Sequence, residues 1–200
     1  MAPRTPRTRL LPALLAPCLL AGLAALAGCS ANPKPTEFVN PRFDFGFVER
    51  VAVLPFENLS NDRQAGARAT RLLITELLAT GTLDVVEPGE VQAALGKFGT
   101  RVVQPSHEQI VALGEGLGVE ALILGTVTQS DLARAGSAAV PVVALDVRMV
   151  EVETGTVVWA ATASVKGDSF GARVLGTSGQ PISETTRRAV RRVLRTLVQG

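Results

Sequence analysis

Chemistry-bearing side chains are sparse in this 200-residue chain, which has two cysteines, Cys18 and Cys29, and a single histidine, His107. His107 follows Ser106 in a Ser-x-x-Gln pattern ending at Gln109, the form of a capping box, so the imidazole belongs to the polar first turn of a helix. A catalytic triad or a zinc site needs further partners, and the sequence supplies none around His107. Gly114-Glu115-Gly116-Leu117-Gly118 has the glycines of a nucleotide loop in the reverse context. It closes a helix and leads into a strand, whereas a phosphate cradle runs from strand to helix amino terminus. Glu57, Asp62, Asp84 and Glu87 sit at strand ends, where carboxylates can act as acids, bases or ligands, but capping and solvated turns account for them more economically. The expectation is a protein that is not an enzyme and holds no metal and no cofactor.

Two other patterns suit binding. Arg188, Arg191, Arg192 and Arg195 recur at helical spacing with Arg187 beside them. Such a stripe is either a solvated face, with cations favoured near a helix carboxyl end, or a contact for an acidic partner or anionic polymer. Phe43, Phe45 and Phe47 alternate, which places them on one face of an extended segment. That face packs on the protein's own core or forms a partner-binding edge.

Cys29 has a context of its own. A cationic stretch with Arg4, Arg7 and Arg9 is followed by an apolar run from Leu10 to Ala27, and small residues precede the cysteine, the layout of a secretory signal. The run approaches the roughly 20 residues of a bilayer span, but Pro12 and Pro17 weaken it as a helix. With its final Leu26-Ala27-Gly28-Cys29, the leader resembles a bacterial lipoprotein signal with its lipobox. The resemblance implies that Cys29 takes diacylglycerol, that residues 1–28 are removed, and that the new amino terminus is acylated. Each buried methylene adds about 0.8 kcal/mol, so such an anchor holds essentially permanently in the bilayer. Ser30, following the lipid-bearing residue, implies by lipoprotein sorting an outer-membrane location facing the periplasm.

Removing the leader takes 20 basic and 18 acidic residues to 17 and 18, because the leader holds three arginines and no acid. The basic balance of the whole chain therefore says nothing of nucleic acid, which is not an expected partner. With Cys18 discarded and Cys29 lipidated, no disulfide forms within one mature chain, and stability must come from an apolar core. Residues 29–46 read as the lipidated cysteine and a flexible tether, and residues 47–200 as one folded domain.

Val51-Ala52-Val53-Leu54 is a buried-strand run, and Asn61 with Gln64 has the form of a capping box opening a helix through Leu77, with Gly81 as its stop. Leu83 to Val86 is a second strand. Pro88 opens a short helix, and Ser106 opens another that ends at Gly118. Ala121 to Val127 is continuously apolar, a central strand covered on both faces. Val143, Leu145, Val147 and Met149 alternate with Asp146 and Arg148, implying one wet face, and the phase slips near Val150 as at a bulge. Glu153-Thr154-Gly155 is a hairpin turn into a strand that places Trp159, Ala161, Ala163 and Val165 together. Gln129 to Ala139 and Lys166 to Pro181 read as loops, and a last helix runs from Ile182 to about Val198. The order β-α-β-α-α-β-β-β-α gives an α/β single-domain sandwich with a mixed sheet.

The run from Val51 to Asp62 (VAVLPFENLSND), the segment Leu117 to Val127 and the hairpin Glu151 to Trp159 resemble a superfamily of bacterial envelope proteins. It includes the amino-terminal domain of TolB, the curli-secretion lipoprotein CsgG and the penicillin-binding-protein activator LpoB. The resemblance spans roughly residues 50–163 and is specific for fold rather than function. It implies a non-catalytic adaptor or assembly factor for an envelope machine in secretion, surface-structure or peptidoglycan synthesis, with envelope protein partners and homo-oligomers within its range. The alternative is a CsgG-like oligomeric secretion channel for curli-type export. Each membrane-spanning strand needs about 9 to 11 residues, and the two segments read as loops are too short for such hairpins.

Overall fold

A computed structural model of the protein describes residues 33–98, 104–135, 138–167 and 180–198. The leader, Cys29 and most of the segment 166–181 lie outside them. A seven-stranded mixed sheet is built around β2 (Arg50–Val53) and β5 (Ala121–Ala135), which pair in parallel. β4 (Asp84–Val85) joins β2 in parallel, the short β3 (Glu57–Asn58) joins β5, and β6 (Ala138–Glu151) and β7 (Val157–Lys166) follow as antiparallel neighbours. β1 (Thr36–Val39) forms one edge, antiparallel to β7. The expected element order holds, with β1 and β3 added.

The apolar runs are buried because helices cover both faces of β2 and β5. Val51, Val53, Ala121 and Ile123 turn toward α1 (Ala65–Leu78) and α4 (Ile182–Val198). Ala52, Leu54, Leu122 and Leu124 turn toward α2 (Pro88–Gly96) and α3 (His107–Leu117). Past β5, α2 and α3 reach the second face only around the end of β6, at Val150 and Val152, while the first face stays covered. Val143, Leu145, Val147 and Met149 are buried there, while Asp146 and Arg148 behind them are half-buried, as their alternation implies. The β6–β7 register slips between Met149 and Val150, where the sequence pattern breaks.

Local signals succeed and fail for identifiable reasons. The capping box of α3 is present in both directions, the Ser106 amide donating to Gln109 Oε1 at 2.9 Å, and Gly118 ends the helix at φ 62°. At α1 the box is absent. Asn58 Nδ2 instead donates to the Asp62 carbonyl at 2.7 Å, and the Asp62 carboxylate accepts the Gln64 amide at 3.0 Å, so Asp62 stitches the turn in place of Asn61.

Three expectations are corrected. The chain is ordered into β1 from Thr36, inside the stretch read as tether, because Thr36 to Val39 find ladder partners along Thr162 to Trp159. Phe43, Phe45 and Phe47 do not share an extended face. Asp44 accepts the Gly46 amide at 2.9 Å and winds Phe45–Phe47 into a 3₁₀ turn. Gln129 to Ala139 is mostly strand: β5 and β6 form one long hairpin with a second register slip between Val127 and Gln129. Its tip, from Leu132 outward on β5, runs past the start of the β7 pairing at Val142–Lys166.

Candidate functional site

At the amino-terminal ends of the parallel strands, the 3₁₀ turn and the last turns of α1 and α4 enclose a cleft. One compartment, of about 530 Å³, has an apolar floor of Val48, Leu83, Met149 and Leu197, with Phe45 on its wall and the carboxylates Glu49 and Asp84 at its mouth. The other, of about 360 Å³, lies between α1 and α4 and is walled by Glu76, Thr80, Leu194, Arg191 and Arg195. Val198 borders both. The aromatic cluster and the arginine stripe, far apart in sequence, thus meet at one end of the domain.

Each candidate residue has a distinct position there. Phe43 and Phe45 pack edge to face at 5.0 Å and lean on the core, whereas Phe47 is 57% exposed. Arg191 Nε donates to Glu76 Oε2 at 2.7 Å, and that carboxylate raises the arginine's already high pKa. Arg192 donates to the Pro33 carbonyl at 3.0 Å and Arg188 to Gln180 Oε1 at 2.9 Å. Arg195 is exposed and meets no carboxylate among the described residues, which leaves the α4 end of the cleft cationic and the far mouth anionic. The last residues of α1 and α4, Leu78 and Val198, are 53% and 55% exposed, adding apolar surface at this end. Cys29 lies outside the described residues.

The last turn of α4 is held from below. Trp159, fully buried on β7, donates its indole N–H to Thr196 Oγ1 at 3.0 Å, and Thr196 donates to the Val193 carbonyl at 2.8 Å. This bond fixes the turn that carries Leu194, Arg195, Leu197 and Val198.

At the opposite end of the sheet, where open α/β folds usually hold ligands, several described side chains are engaged in packing and hydrogen bonds. Phe56 lies against Gly125 so closely that a Cβ there would come within 2.3 Å of the ring. Asp62 is bonded to Arg68, accepts the Ser130 hydroxyl at 3.2 Å, and shares Arg68 with Thr186 at 3.3 Å. Burial pushes the Asp62 carboxyl up, but the Arg68 guanidinium, the Gln64 amide and the Ser130 hydroxyl outweigh it and hold the group below its ordinary value. These side chains tie α1, β5 and α4 together. Glu57 accepts the Thr126 hydroxyl at 3.3 Å, and Glu87 caps α2 through the Gly89 amide at 2.6 Å. His107 lies beside the turn at Gly155, where φ is 65° and an added Cβ would come within 2.1 Å of Nδ1, so the position requires glycine. Gly114 is pressed against Val152. No group of three or more His, Cys, Asp or Glu fit for a metal ion occurs among the described residues.

The chain matches no family model and no curated protein by sequence. Its fold is that of solved bacterial proteins. The PelC dodecamer from Paraburkholderia phytofirmans is 19% identical over 81% of this chain and 96% of its own, with a TM-score of 0.56. Lipoprotein GNA1162 from Neisseria meningitidis is 17% identical over 76% and 99%, also at 0.56. The hypothetical protein CT253 from Chlamydia trachomatis is 12% identical over 75% and 95%, at 0.52. The chain therefore shares its fold with these proteins, one of them a bacterial lipoprotein. Sequence reasoning missed the cleft itself, because its floor comes from four separate elements, none with a local signature. The available signal was that the apolar face of α4 continues through Leu197, which is only partly buried against the core and also lines the cleft.

Proposed function

We propose that the protein is a non-catalytic lipoprotein of the bacterial envelope, anchored in the outer membrane through lipid on Cys29 and facing the periplasm, which docks a segment of a partner protein in the cleft between α1 and α4. The observation that carries the reading is the cleft: an apolar floor, a cation at one end and carboxylates at the other. Such a surface fits an extended segment with apolar side chains and an acidic residue toward Arg195. The structural use of Asp62, Glu57 and Glu87 supports a role in assembly or regulation of an envelope machine rather than catalysis. The shared fold with a lipoprotein and with a dodecamer supports the anchor and self-association. A CsgG-like channel gains little from the β5–β6 hairpin. Its overhang, Leu132–Ala135 on β5, is shorter than the 9 to 11 residues a spanning strand needs.

The test is a photo-crosslinking residue at Leu197 in the full chain, in cells. It should capture an envelope protein, and Arg195→Glu should reduce capture about tenfold, the loss of one charge-assisted contact. Cys29→Ala should abolish acyl labelling and membrane retention. Capture unchanged by Arg195→Glu, or equal from a crosslinker at Gln92 on α2, would refute the docking site.

A further inference from the structure

The charges of the domain are sorted by layer. α1 and α4, which cover one face of the sheet, together carry seven arginines and two glutamates. α2 and α3, on the opposite face, carry three glutamates and no lysine or arginine. Exposed Glu87, the amino-terminal cap of α2, and Glu153, in the turn beside His107, extend the acidic side, against one exposed lysine, Lys97, at the carboxyl cap of α2.

Internal pairing does not cancel this separation. Arg68, Arg187 and Arg191 are paired with Asp62, Glu184 and Glu76. Arg71 and Arg192 meet no carboxylate among the described residues, since Arg192 bonds only a neutral carbonyl, and Glu90 and Glu115 meet no cation. The two helix layers flank the sheet and lie about 20 Å apart, roughly twice the Debye length at 0.1 M salt, so they do not neutralise each other within one copy. The mature sequence is nearly neutral in total, with 17 basic and 18 acidic residues after the leader. A near-zero net charge leaves little general repulsion between copies.

We propose that a second copy of this chain occupies each face, the arginine layer of one copy seating on the glutamate layer of the next. The contact is head-to-tail, each copy using two different surfaces, and repetition closes into a ring or continues as a filament. The inference rests on the self-association included in the proposed function and names its surfaces. Because both charged surfaces belong to the same chain on opposite sides, complementarity selects a copy over a partner that would satisfy only one of them.

The experiment uses the full lipidated chain in detergent, its protein mass read by light scattering at 0.05 and 0.5 M NaCl. Wild type should be several-fold heavier than one copy at low salt and fall toward one copy at high salt. Arg71→Glu with Arg192→Glu should yield single copies at low salt, as should Glu90→Arg with Glu115→Arg. Mixing the two variants should restore the large species, because each then presents the surface the other lost. That rescue also shows that both remain folded. Wild type that is a single copy at both salts overturns the inference together with self-association. A large species unaffected by salt or by either variant leaves self-association standing and overturns these surfaces. If the arginine variant keeps its mass but loses binding to phosphatidylglycerol vesicles, the basic layer reads anionic lipid and the inference falls.

Discussion

Trp159→Phe should loosen the cleft without touching its surface. The indole is fully buried and its N–H is bonded to Thr196 Oγ1 at 3.0 Å. Phenylalanine removes the bond, worth about 1 kcal/mol net, and leaves a void of a few heavy atoms costing about 1 to 2 kcal/mol more. The sum, about 2 to 3 kcal/mol, lowers Tm by roughly 5 to 10 °C for a domain of this size. Thr196→Val leaves the buried indole N–H without an acceptor and should cost about 1 to 3 kcal/mol. Once either partner is gone the other contributes nothing through the bond, so the double variant should fall short of the summed losses by about 1 kcal/mol. Urea unfolding followed by circular dichroism measures the cycle, and hydrogen exchange should show faster amide opening in the last turn of α4. Additivity within about 0.3 kcal/mol, or unchanged exchange in that turn, would refute the claim that this bond holds the cleft wall.

Two further predictions follow from the positions of the aromatic and acidic residues. Phe43→Ser and Phe45→Ser should each destabilise by about 1 to 3 kcal/mol, because both rings lean on the core, while Phe47→Ser should stay within about 0.5 kcal/mol; equal losses at all three in urea unfolding would contradict this division. The folded-state pKa of Asp62 is depressed, so its contribution to stability is fully present above its ordinary value of 3.8 and is lost as pH falls through the lower folded value. In Asp62→Asn the stability difference from wild type should therefore be largest near neutrality and shrink below pH 3.8, and a difference that grows on acidification would reverse the assignment.

The sequence by itself determined the long helices and the central strands and which of their faces are buried. The continuous run Ala121–Val127 reads as a strand covered on both sides, the alternation from Val143 to Met149 as one wet face, and Ser106 with Gln109 and Gly118 as the two ends of a helix. These are local properties, set by side-chain periodicity of 2 or 3.6 and by hydrogen bonds within a few residues. It also isolated the candidate residues for anchoring and docking, and it placed Asp62 and Glu87 in structural turns. Only the tertiary structure decided what those residues meet. Alternation cannot distinguish an extended Phe43–Phe47 from a 3₁₀ turn, because Asp44 capping the Gly46 amide changes the backbone while the spacing stays the same. The cleft needs Val48, Leu83, Met149 and Leu197 at one point, and the opposed charges of α4 and α3 need those helices on opposite faces of the sheet. Both depend on strand order and on which face each connection crosses, contacts between residues distant in sequence that no local pattern encodes.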